Sequence, residues 1–231
     1  MAEQDLVKIL ESIAGYLEIE KRSGVNCFMR GKNVQKRIDL LKKIAEDVNK
    51  CKKCSLYETR KKVVFGEGNP YAKIIFLGEA PGEEEDREGK PFVGKAGKLL
   101  TQIIQALGLR RGEVYITNVL KCHPPDNRSP YSEEINACFD YLKREIEIIN
   151  PRVICALGKF ANLALSRKEI PLIQQHGREY LYEGIKVIPT FHPAYLLRNP
   201  QEKKSAWQDL KKVIEIVKRK SDLKSTTLIG V

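Results

Sequence analysis

The sequence predicts an α/β fold: a parallel sheet covered by helices on both faces, behind a helical N-terminal arm. Two observations carry this. Four short, uninterrupted apolar runs of strand length recur after residue 73, and each is separated from the next by a stretch with helical periodicity. A strand that is apolar on both faces is buried on both, which is how parallel sheets in α/β proteins read. A third observation bounds the size. The chain has 231 residues, 42 % of them apolar, enough for one packed domain with an appendage.

The elements follow in order. Residues 5–20 place Leu6, Ile9, Leu10, Ile13, Tyr16 and Leu17 at helical spacing, and Ser23-Gly24-Val25-Asn26 breaks the pattern. Residues 34–49 form a second amphipathic helix through Ile38, Leu41, Ile44, Ala45 and Val48. The expected strands are Lys73 to Gly78, Val114 to Val119, Val153 to Leu157, and a run from Val187 to Phe191. Pro189 lacks an N–H, so the last strand is expected to sit at an edge or to begin late. Helical patterns cover residues 95–107, 132–149, 158–167 and 201–220. The expected division is an arm at 1–32, a domain at 33–220 and a mobile polar tail at 221–231.

Composition narrows the function. There are 41 Lys and Arg against 30 Asp and Glu, a formal charge of +11, which favours an anionic partner such as nucleic acid. A lysine-rich, well-solvated surface is the plainer alternative. No apolar run is long enough to span a membrane, and the acidic start Met1-Ala2-Glu3-Gln4-Asp5 does not read as a signal peptide. A reducing, cytoplasmic and nucleoid-associated setting is therefore expected, and there metal or cluster binding outranks disulfides for the six cysteines. Lys, Glu and Ile richness with only two Met is compatible with a thermophile.

Ligands of open α/β sheets bind beyond the carboxyl ends of the strands. Those ends carry Glu79 within Gly78-Glu79-Ala80-Pro81-Gly82, Asn118, and His192 before Pro193. Taken singly, each has an ordinary reading: a helix cap, a turn amide, a hydrogen-bonded core histidine. Together they place a carboxylate, an amide and an imidazole on one rim. The spacings G-x-G-x-x-G and G-x-x-x-x-G-K-[ST] are both absent, which sets nucleotide cofactors aside. Phe92, between Pro91 and Gly94, is either a loop anchor or a stacking platform for a planar ligand. Cys51-Lys52-Lys53-Cys54 is a C-x-x-C pair, and Cys122 and Cys138 complete a possible set of four. Four thiolates hold zinc or an iron–sulfur cluster, and spacing does not choose between them. Cys155 lies in an apolar strand and reads as core, while Cys27 has no evident partner.

In this order, the segments 78–86, Gly89-Lys90-Pro91-Phe92-Val93-Gly94, Thr117 to Cys122, Asn127-Arg128 and Phe191-His192-Pro193 resemble the family-four uracil-DNA glycosylases. These are the thermostable archaeal and bacterial type with an iron–sulfur cluster. The resemblance covers residues 45 to 215. It implies a three-layer α/β/α sandwich with a four-stranded parallel sheet, and a structural [4Fe–4S] cluster on Cys51, Cys54, Cys122 and Cys138. It implies removal of uracil from DNA, leaving an abasic site for base excision repair. By resemblance Glu79 orients a water, and His192 donates to uracil O2. Ala80, Phe92, Asn118, Glu85 and Asn127 surround the base. Apart from the resemblance, Arg128 and Arg198 are candidates to hold phosphates, and Leu196 or Leu197 either fills the vacated stack or begins a helix and faces the core. One related branch lacks the carboxylate that this chain keeps as Glu79. Another carries a histidine in an inserted basic loop, which Glu88-Gly89-Lys90-Pro91 does not contain.

Two other readings stand beside it: a non-catalytic iron–sulfur module that binds damaged DNA, and a zinc-stabilised nucleotide hydrolase. A monomer is expected. The apolar tip Leu228-Ile229-Gly230-Val231 suggests contact with a replication clamp or another repair protein.

Overall fold

The structure is a computed structural model and describes residues 27–219, with the side chains of 27–34 left aside. The expected helix at 5–20, the break at 23–26, the tail at 221–231 and any partner of Cys27 lie outside what is described. The chain divides into two compact units, 1–40 and 41–231.

Helix α1 (Cys27–Asn49) starts before the expected residue 34. In the second unit, a short helix α2 (Leu56–Thr59) leads to a two-residue strand β1 (Glu67–Gly68) and then β2 (Ile74–Gly78). Helices α3 (Glu83–Glu88) and α4 (Lys95–Ala106) precede β3 (Tyr115–Asn118). Then come α5 (Ser132–Ile149), β4 (Val153–Leu157), α6 (Lys159–Ser166) and α7 (Leu172–Gln175). The chain ends its described course with β5 (Tyr180–Tyr182), β6 (Ile185–Thr190), α8 (Pro193–Arg198) and α9 (Lys203–Lys218). No described helix is long and apolar enough to cross a membrane.

The sheet order is β1-β3-β2-β4-β6-β5. The inner four strands are parallel, as expected. The flanking strands β1 and β5 are antiparallel additions of two and three residues, too short to register as apolar runs. Pro189 sits in β6 opposite Ala156 of β4. Strand β5 covers β6 only as far as Val187. Beyond it the Pro189 carbonyl accepts from Gly177 N at 2.8 Å, so the missing N–H faces the side where pairing with β5 has ended.

Alternation within the buried strands builds the two outer layers. Ile75 and Leu77 of β2 pack with Leu142 and Ile146 of α5 and Ala161 of α6. Ile74 and Phe76 point the other way, against Leu100 and Ile104 of α4 and Leu210 and Val213 of α9. Cys155 is fully buried in that second cluster, as expected of a core residue.

The chain leaves the middle of the sheet at β2, passes to β3 on one side, and returns to β4 and β6 on the other. The carboxyl end of β2 is thus the switch point at which α/β sheets hold ligands.

Candidate functional site

Glu79 follows β2, Asn118 ends β3, Gly158 follows β4, and His192 follows β6. All four line one cavity of about 830 Å³ on the carboxyl rim. Backbone bonds lock the first two ends together. Val119 N donates to Gly78 O and Leu120 N to Glu79 O, both at 3.0 Å.

Asn118 is 2 % exposed, and its Oδ1 is a buried side-chain oxygen without a hydrogen-bond partner among the described residues. Leaving such an atom unpaired costs about 1–3 kcal/mol, so its orphaned state in a cavity wall points to a ligand. Gly78 makes room for it. A Cβ there would strike both the Asn118 carboxamide and the Phe92 ring.

His192 caps α8: its Nδ1 accepts from Ala194 N at 3.1 Å. An accepting Nδ1 puts the proton of a neutral ring on Nε2. Burial, with Arg198 nearby, pushes its pKa down to about 4, so the ring is neutral around pH 7. The site therefore presents a neutral N–H donor. Burial pushes Glu79 up to about 7, and Lys159 draws it partly back.

Phe92 is 6 % exposed, with its ring centroid 5.6 Å from that of His192. Its φ of 52° is strained for an aromatic residue. Two residues hold it so. Arg111 donates to Pro91 O at 2.5 Å, and the Glu85 carboxylate accepts from Val93 N and Gly94 N at 2.9 Å and Gly82 N at 3.1 Å. Phe92 is thus both a loop anchor and a wall of the cavity.

Of the other expected site residues, Ala80, Glu85, Asn127, Arg128 and Arg198 also line the cavity. Three of them also have partners within the fold. The Glu85 carboxylate accepts from three backbone N–H groups and so holds the loop. Arg128 is paired with Glu134 at 2.6 and 2.9 Å and lies over the Tyr131 ring, so its charge is largely spent within the fold. Asn127 contacts His123 at 3.1 Å. Leu196 does not reach the cavity. It is 2 % exposed, packed with Phe191 and Ala206, because helical spacing turns it to the core. Its neighbour Leu197 is 44 % exposed. Residues that sequence reasoning missed are Lys159, Ile173 and Tyr195, all on the cavity wall. Lys159, directly after the Gly158 that follows β4, is reached by extending the strand-end rule to the third expected strand.

A second, small cavity is lined by Cys51, Cys54, Cys122 and Cys138. One N–H donor points at the sulfurs: Arg60 Nη1 donates to Cys122 Sγ at 3.2 Å. Such donors stabilise anionic, ligating sulfur. No described group of three or more His, Cys, Asp or Glu is arranged around a single metal ion.

The model of the uracil DNA glycosylase superfamily matches residues 65–211. A type-4 uracil-DNA glycosylase of Sulfurisphaera tokodaii is 48 % identical over 188 residues, 78 % of this chain and 86 % of that protein. One of Thermotoga maritima is 46 % identical over 187 residues, 79 % of this chain and 97 % of that protein. One of Archaeoglobus fulgidus is 45 % identical over 191 residues, 79 % and 96 %. The chain that places Glu79, Asn118 and His192 on one rim belongs to the type-4 uracil-DNA glycosylases of the uracil DNA glycosylase superfamily.

Proposed function

We propose that this protein is a monofunctional uracil-DNA glycosylase of base excision repair, and that the rim cavity takes one uracil flipped out of DNA. The observation that carries the assignment of the base is the orphaned Asn118 Oδ1. Uracil offers an N3–H donor beside an O4 acceptor. The Asn118 carboxamide offers an acceptor beside a donor, and cytosine reverses both positions. A site built around such an edge discriminates by up to about 10⁴–10⁵, because the wrong base leaves its groups unpaired.

The chemistry follows from the other two side chains. Breaking the C1′–N1 bond sends the electron pair to uracil and leaves positive charge on the sugar. The His192 Nε2–H donates to uracil O2 as that charge develops, and a neutral ring does so without a proton being transferred. The ionised Glu79 carboxylate opposes the sugar charge and orients a water. The water oxygen bonds to C1′, its proton leaves through Glu79 to solvent, and the uracil anion takes a proton from solvent. Phe92 stacks on the base. Lys159 and Arg198 face the DNA phosphates, in keeping with the charge of +11. Leu197, exposed beside Arg198, is the side chain that enters the emptied stack.

Cys51, Cys54, Cys122 and Cys138 fit a group held by four thiolates. They line one cavity, and Cys122 receives an N–H donor from Arg60; with the resemblance to iron–sulfur glycosylases, this supports a [4Fe–4S] cluster. When bound, the cluster supplies a covalent staple between the end of α1, the loop after β3 and α5, not a step of the reaction.

The test is incubation with a labelled oligonucleotide carrying a single uracil, half of it then treated with alkali. Breakage after alkali alone is expected. Intact DNA in both halves, from protein that binds the oligonucleotide, would overturn the enzyme in favour of a binding module.

A further inference from the structure

Between the cysteine cavity and the uracil edge lies a closed polar network that the mechanism does not use. Lys121 and Glu145 form an ion pair with both side chains wholly buried. The Lys121 ammonium has three hydrogens and three acceptors: the Glu145 carboxylate, Thr117 Oγ1 at 2.7 Å and the Asn118 carbonyl at 2.8 Å. Glu145 is completed by the Tyr115 hydroxyl at 2.9 Å, the Thr117 hydroxyl at 3.2 Å and Gly66 N at 3.2 Å.

A buried ion pair is weak ground for stability, since apolar residues of similar volume often serve as well or better. Its placement is more informative. Strand β3 leaves the sheet at Asn118, and the Lys121 side chain reaches back over that turn to grip the Asn118 carbonyl. Lys121 is itself fixed, because its carbonyl accepts from Val64 N at 2.8 Å, and with the next residue, Cys122, it lines the cysteine cavity. Fixing the 118–119 peptide fixes the Cα–Cβ direction from which the Asn118 carboxamide enters the cavity.

We propose that Lys121 is a positioning residue for base discrimination, holding Asn118 to the uracil edge and tying that edge to the cysteine-bearing segment. This rests on the assignment of Asn118 to uracil.

The test compares free uracil as an inhibitor with affinity for abasic DNA, which carries no base. The variant Lys121→Met/Glu145→Gln removes both charges together. It is expected to melt cooperatively and to bind abasic DNA as the wild type does, with uracil inhibition weakened about tenfold, the size of one lost hydrogen bond to a charged group. Thr117→Val removes one of the three acceptors at near-constant shape and is expected to weaken uracil about threefold, again selectively. It serves as the deciding variant if the double variant does not fold. Equal loss of uracil and abasic DNA binding, or no loss of uracil binding, would reduce Lys121 to a core residue and overturn the inference. Absence of uracil inhibition in the wild type would instead overturn the uracil assignment itself.

Discussion

At the scale of single residues, the site depends on two side chains moved in opposite directions by the same burial. Glu79 is held up at about 7 and His192 down at about 4. Activity is therefore expected to rise with pH through about 7 as Glu79 ionises, and to show no His192 ionisation above pH 5. Glu79→Gln should lower single-turnover excision by about 10²–10⁴ and abolish that rise. Linkage gives a second consequence. The folded state holds the Glu79 proton more tightly than the unfolded chain, so wild-type stability falls as pH rises from about 4.5 to about 7. Glu79→Gln should then be the more stable protein above pH 7, by up to about 3 kcal/mol, with the advantage gone near pH 4.5. Denaturant melts of both proteins across that range check it. A variant with lower stability at high pH would show that the carboxylate is not held against its desolvation.

At the scale of elements, the strand ends were legible because chemistry and hydropathy coincide there. Each apolar run stops at a polar or glycine residue, and the stops at Gly78, Asn118 and Leu157-Gly158 are the rim. What the sequence hid has a physical cause in each case. Strands β1 and β5 are too short for periodicity to register. Leu196 and Leu197 are adjacent, and only the turn of α8 decides which faces the core. The internal partners of Glu85 and Arg128, three backbone N–H groups and Glu134, are set by loop and helix geometry that the sequence does not display. Lys121 lay between Leu120 and Cys122, and nothing in composition marks a lysine as wholly buried. Close approach at β2 is testable. In Gly78→Ala the new Cβ has to displace Asn118 or Phe92, at a cost of about 1–3 kcal/mol. Melting should drop by about 2–4 °C for each kcal/mol, with loss of excision. An alanine variant of full activity would contradict the contact.

At the scale of the whole molecule, the layered sandwich delivers four strand ends to one cavity, while a second cavity of cysteines lies beside the β3 end. Alternation of strands and helices made a parallel sheet covered on both faces legible; the order of the strands in the sheet was not, because hydropathy does not encode which strand pairs with which. The cysteine cavity joins segments far apart in sequence, so Cys138→Ser should remove iron and visible colour together and lower the melting temperature. Protein that purifies colourless, with one zinc per chain, would contradict the cluster. The central claim is that the rim cavity reads uracil through Asn118 and His192. A structure of the protein with abasic DNA and free uracil tests it most directly. The account predicts the base against Phe92, its N3–H on Asn118 Oδ1 and its O2 within hydrogen-bond reach of His192 Nε2. A base bound elsewhere, or in the cavity with Asn118 Oδ1 still unpaired, would contradict it.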